Sequence, residues 1–158
     1  MQQAPTLDSN RRRLAELTRR PWRMLVGGAM VDARGGERYT TTSPADGQPL
    51  AEVPFAQKAD VEAAVQAAER AYPTWRDTPL SQRVAVLRRF IAVLEQNEAD
   101  LALLDAADLG SPFSSMRSDV HLACELLDYI CNAAGEVKGQ NLPGSGGNWH
   151  ITKREPYG

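Results

Sequence analysis

ADVEAAVQAAERAYPTW, residues 59–75, places Val61, Val65, Ala68, Tyr72 and Trp75 at steps of four, three, four and three. Such steps keep side chains on one face of a coil with 3.6 residues per turn, so the stretch predicts an amphipathic helix beginning at Asp60. Pro73 sits near its end, and Thr78-Pro79 reads as an N-cap followed by proline at the first position of a second helix. The apolar face of that helix is Leu80, Val84, Leu87, Ile91 and Leu94, which leaves Arg83, Arg88 and Arg89 for water. Asn97 then caps a third helix, with Glu98 and Asp100 in the first turn where the dipole favours them, Gly110 as its stop and Pro112 beyond. A fourth helix, roughly Ser115 to Lys138, is apolar around most of its girth, at Val120, Leu122, Cys124, Leu127, Tyr129 and Ile130 among others. A helix of that kind expects neighbours on two sides.

Upstream, Met24 to Asp32 reads MLVGGAMVD, and Gly27-Gly28 between two short apolar runs predicts a β-hairpin. TTTSPADGQPLAEV carries two turn signals, Ser43-Pro44 and Asp46-Gly47, before the strand-like Leu50 to Phe55. Downstream, LPGSGGN reads as a flexible loop, and the alternation of Trp149 and Ile151 with His150 and Thr152 predicts one strand ending at Pro156. The first 23 residues hold six Arg against Asp8 and Glu16. Although Leu7, Leu14 and Leu17 recur at helical spacing, residues 1–22 are expected as a flexible, solvated basic arm and residues 23–158 as the folded part. The fold class is therefore α+β: a hairpin and a strand, four packed helices and one C-terminal strand.

The 158 residues are 42% hydrophobic, with 18 Lys and Arg against 20 Asp and Glu, the composition of an ordinary globular domain. A net charge of −2 supplies no overall basic field, so nucleic acid and anionic lipid are not expected as partners. The longest apolar run, Met24 to Val31, falls far short of the ~20 residues needed to span a bilayer. No apolar segment follows Arg11, Arg12 and Arg13 as in a secretory signal, so the cytoplasm is the expected compartment. Cys124 and Cys131 lie two helical turns apart, about 10 Å by rise, too far for a disulfide, and are expected as buried thiols.

None of the chemistry-bearing residues assembles into a known constellation. Gly144, Gly146 and Gly147 lack the third glycine of a dinucleotide fingerprint and the lysine of a P-loop. His121 and His150, the two histidines, have no second ligand at zinc spacing. His121 stands one turn before Glu125, the spacing of an ordinary helix-surface contact, and Ser111, Ser114, Ser115 and Ser118 suit helix capping better than nucleophilic attack.

Seven strings in order carry a resemblance: LVGGAMVDARGG, SPADGQPLAEV, ADVEAAVQAAERAYPTW, the arginine of SQRVAVLRRF, ADLALLDAADLGSP, DYICNAAGEVKGQNLP and ITKREPYG. Together they resemble the N-terminal segment of the aldehyde dehydrogenase superfamily. The resemblance implies an α/β enzyme with Rossmann-like cofactor and catalytic domains that oxidises aldehydes to acids with NAD or NADP. In that chemistry a cysteine thiolate attacks the aldehyde, hydride passes to the nicotinamide and a glutamate-activated water releases the acid.

In the family the cysteine, the glutamate, the oxyanion-holding asparagine and the pyrophosphate-binding glycine turn all follow the REPYG position. Cys124 and Cys131 have no cationic neighbour to form a thiolate, so no catalytic or cofactor-binding residue is expected here. The expectation is an N-terminal piece, incomplete and inert alone, of an enzyme that is a homo-oligomer at full length. The aldehyde is then a partner of the complete enzyme only, and the C-terminal strand belongs to an incomplete oligomerisation sheet. By position, the resemblance assigns a monovalent cation to Thr41, Thr42 and Asp108, and the mouth of the aldehyde tunnel to Leu122. Ser43, and Ser111 within Gly110-Ser111-Pro112, depart from the residues many members carry, so neither the aldehyde nor the choice of NAD or NADP is assigned. The alternative is a non-catalytic assembly or regulatory partner of a full-length aldehyde dehydrogenase.

Overall fold

The computed structural model describes residues 6–155. In order, the elements are α1 (Leu7–Thr18), β1 (Met24–Val26), β2 (Ala29–Val31), β3 (Arg38–Thr42), β4 (Pro49–Pro54), α2 (Lys58–Asp77), α3 (Leu80–Gln96), α4 (Glu98–Leu109), α5 (Phe113–Ala133), β5 (Asn141–Leu142) and β6 (His150–Ile151), with a 3-10 turn at Ala134–Glu136. Each consecutive pair of strands forms its own two-stranded antiparallel sheet. The α+β class stands, with a different distribution of parts.

The basic arm is the first difference. Its residues 7–18 form a helix, capped where Ser9 N–H donates to the Thr6 hydroxyl at 3.2 Å, and they pack on α4. Leu17 is 1% exposed, and the Arg13 guanidinium spans both oxygens of Asp100 at 2.8 and 2.6 Å. One buried leucine and one bidentate ion pair hold the helix on α4 where a solvated tail was expected. Residues 1–5 of that arm lie outside the described residues.

The second difference is which helices pack together. α5 packs on α3 and α4, and α1 joins them on α4, whereas α2 lies against β1. The stripe expected to be buried on α2 turns outward: Val61, Val65, Ala68 and Trp75 are exposed, while Ala63, Ala64 and Ala67 are half-buried. Alanines allow the helix to approach the hairpin closely, and a Cβ built on Gly27 would meet that of Ala67 at 3.7 Å. Short side chains therefore take the inner face that larger apolar ones were expected to take.

Helix boundaries differ for local reasons. α2 continues through Pro73 to Asp77, and Thr78 donates its hydroxyl back to the Thr74 carbonyl at 2.7 Å instead of capping α3, whose N-cap is Pro79. Asn97 is the N-cap residue of α4 as expected, its carbonyl accepting from Leu101 N–H at 3.0 Å, but its side-chain amide turns back to the Val93 carbonyl at 2.8 Å and closes α3. At the start of α2, Asp60 accepts from the backbone N–H groups of Gln57 at 3.0 Å and Arg34 at 3.2 Å, which satisfies a carboxylate that is almost fully buried. Gly110 ends α4 with φ +73°, as a left-handed C-cap requires.

The single C-terminal strand is instead a hairpin. Asn141 pairs with Ile151 and Leu142 with His150 across the glycine loop, and β6 is confined to His150–Ile151. The expected end at Pro156 lies outside the described residues. No helix among the described residues is long and apolar enough to cross a membrane.

Candidate functional site

The core of the bundle places both thiols away from chemistry. Met116, Val120, Cys124 and Cys131 form the buried stripe of α5, and both cysteines are free and buried. Burial pushes the Cys124 thiol up, and the carboxylates of Glu95 and Glu98 push it the same way. A nucleophilic cysteine needs the opposite environment.

A groove of about 610 Å³ runs between α3 and α5 beside Cys124, and polar side chains line its rim. Arg88, expected to face only water, donates to the Asn132 side chain at 2.6 Å and approaches Asp128 at 3.8 Å. His121 Nε2 lies 3.3 Å from Glu125 Oε1 with both side chains exposed, the helix-surface contact that their spacing predicts. Among the described residues, no three of His, Cys, Asp and Glu are grouped to hold a metal ion.

The glycine loop does not fit a dinucleotide. Gly144, Gly146 and Gly147 lie between β5 and β6, and no helix follows among the described residues whose N-terminal N–H groups could receive a pyrophosphate. Gly144 is required by its own loop, because a Cβ there would meet the Asn148 carbonyl oxygen.

Thr41 and Thr42 end β3 at a register shift, opposite Ala51 and Pro49, and Pro49 has no N–H to offer at its ladder position. The turn after them packs on the end of α4, where a Cβ on Gly110 would lie 2.9 Å from Pro44 Cγ. Asp108, two residues before that glycine, is exposed and takes no hydrogen bond or ion pair from another described residue. Backbone carbonyls at a strand end and an unpaired carboxylate on the adjoining helix end are oxygen donors that suit a hard cation. Leu122 is 50% exposed on α5, on the same side of the helix as Leu126, Tyr129 and Ile130, all exposed. Tyr129 also borders the α3–α5 groove, and together these side chains give the helix a second, exposed apolar side.

Sequence patterning missed Arg83. It is half-buried, and its Nε is buried without a hydrogen-bond partner. Its helical position had suggested a solvated face, and only the tertiary placement of residues 153–155 closes over it.

The sequence pattern described as the aldehyde dehydrogenase family matches residues 30–158. The chain belongs to the aldehyde dehydrogenase family. Its fold is also that of solved members. An aldehyde dehydrogenase from Bacillus cereus superimposes with a TM-score of 0.84 at 28% identity, covering 90% of this chain and 30% of that one. The indole-3-acetaldehyde dehydrogenase AldA of P. syringae, solved with NAD+ and IAA, superimposes with a TM-score of 0.87 at 28% identity, covering 96% and 31%. HpcC from Thermus thermophilus, at 22% identity and a TM-score of 0.82, shares the fold, with 89% of this chain and 27% of that one covered. This aldehyde dehydrogenase chain thus spans about a third of the length of the structures it matches.

Proposed function

We propose that this chain is the N-terminal scaffold of an enzyme that oxidises aldehydes to carboxylic acids with NAD or NADP, and that the 158 residues alone do not turn over aldehyde. Family membership carries the first half of this reading. The burial of Cys124 and Cys131, with Cys124 driven toward the neutral thiol, supports the second. The exposed apolar side of α5, which includes Leu122, is then a surface for covering by catalytic elements and the aldehyde tunnel. On this reading the dinucleotide, the hydride acceptor of the complete enzyme, does not bind the 158 residues productively.

The native gene product, purified from its own cells, tests this reading. A species about three times the 17.3 kDa of this chain that forms NADH or NADPH from an aldehyde is the expected result. A product of that larger size inert toward aldehydes, or one of 17.3 kDa that oxidises them, contradicts it.

Within the scaffold, a monovalent cation bound by the Thr41 and Thr42 carbonyls and by Asp108 ties the β3–β4 turn to the end of α4. Replacing choline by potassium at fixed ionic strength raises the melting temperature, and Asp108→Asn abolishes the difference; equal melting in both salts removes the site.

A second reading, an assembly partner of a full-length relative, is favoured by the β5–β6 hairpin. Ile151 is 74% exposed on a two-stranded sheet whose outer edges meet no other described strand, and Trp149, just before β6, is 83% exposed. Co-purification with a complete aldehyde dehydrogenase at fixed stoichiometry supports that role, and absence of association at micromolar concentration removes it.

A further inference from the structure

The ends of α2 and α3 and the segment after β6 enclose a pocket of about 360 Å³ lined by Arg76, Asp77, Arg83, Lys153, Arg154 and Glu155. Both carboxylates in it are already engaged. Arg76 grips Asp77 through Nε at 2.8 Å and Nη2 at 3.0 Å, and Lys153 Nζ donates to Glu155 at 2.8 Å. Those pairs hold each carboxylate below its ordinary range and keep it ionised.

Two cations remain. The guanidinium groups of Arg83 and Arg154 make no hydrogen bond or ion pair with another described residue, and Arg83 Nε is shielded from water as well. A buried guanidinium donor without an acceptor is costly, and a second unpaired cation in the same pocket adds repulsion. An anion in the pocket offsets the two unpaired charges.

We propose that Arg83 and Arg154 form a binding site for a phosphate-class dianion, either the free ion or a phosphomonoester. Two guanidinium forks present planar donor pairs that match phosphate oxygens bidentately. Their two unpaired charges are neutralised by an ion of charge about −1.5 to −2, whereas a single carboxylate leaves about half of that uncompensated. The pocket volume is that of a site for a small ligand.

The test is a calorimetric titration of the full chain with sodium phosphate at pH 7.5, with ionic strength held constant by chloride. The expected result is one saturable site that prefers phosphate over acetate by about tenfold or more, as a second charge-assisted contact provides. Arg154→Gln, an exposed position, weakens phosphate binding by at least about tenfold, as does Arg83→Gln if that variant folds. Arg117→Gln, on α5 and paired with Glu98, leaves binding unchanged. Phenyl phosphate separates the two sources: equal affinity assigns the site to a phosphomonoester, and a marked loss assigns it to the free ion. Non-saturating heats equal for phosphate and acetate, or binding unaltered in Arg154→Gln, overturn the proposal.

Discussion

Arg13 of α1 holds both carboxylate oxygens of Asp100 in the first turn of α4, Nε to Oδ1 at 2.8 Å and Nη2 to Oδ2 at 2.6 Å. The Asp100 carboxyl lies below its usual range, chiefly through the Arg13 hydrogen bonds and against the opposing effect of burial. A depressed folded-state pKa contributes stability that is present above the unfolded carboxylate value of about 3.9 and is lost as pH falls through the lower folded value. Amide protection in residues 7–18 is therefore expected to hold from pH 7 down to about 4 and to fall below that. In Asp100→Asn the same protection is reduced already at pH 7, while that of α5 is unchanged. Equal protection of α1 in both proteins shows that the ion pair does not dock it.

Leu17 contributes to the same docking through burial. Leu17→Ala removes a fully buried side chain between α1 and its neighbours and is expected to cost about 2–5 kcal/mol in urea unfolding, toward the low end if α1 collapses onto the cavity. A change below about 0.5 kcal/mol, the level of ordinary surface substitutions, contradicts a packed α1.

Gly110 terminates α4 at φ +73°, and any Cβ there meets Pro44. Gly110→Ala is expected to lose about 1–2 kcal/mol from the left-handed backbone, with additional loss from displacing the Ser43-Pro44 turn. Gly36, also at positive φ but with open space beside it, is the control: Gly36→Ala bears the backbone penalty without the clash. Identical losses at the two sites dismiss the Pro44 contact as a determinant.

Alkylation follows the state of the thiols. Cys124 and Cys131 are expected to react with iodoacetamide at pH 8 at least about tenfold more slowly in the native chain than in urea, because burial shields both from the reagent and pushes the Cys124 thiol up. A cysteine that reacts faster in the native chain than in urea indicates an activated thiolate.

The helices α2 to α5 and the first hairpin were legible in the sequence because their causes are local. Gly27-Gly28 turns the hairpin, Gly110 stops α4, and the periodicity of Val84, Leu87, Ile91 and Leu94 gives α3 its inner face. What was not legible depends on partners distant in the chain. The docking of Arg13 on Asp100 joins residues 87 positions apart, and neither side chain carries a local mark of it. On α2 the apolar period is real, yet the hairpin selects the alanine side because only short side chains permit its approach. Arg83 shows the same limit at the candidate site: its helical position reads as solvent-facing until residues 153–155 return to α3. The short β5 strand escaped notice because two residues carry no measurable alternation.

Aldehyde-dependent reduction of NAD+ or NADP+ by the purified 158-residue chain, followed by absorbance against a Cys124→Ser, Cys131→Ser double variant, bears most directly on the scaffold reading. The expected rate is indistinguishable from the double variant and from buffer. A rate that rises with protein concentration and disappears in the double variant would place a working nucleophile inside these residues and contradict the account.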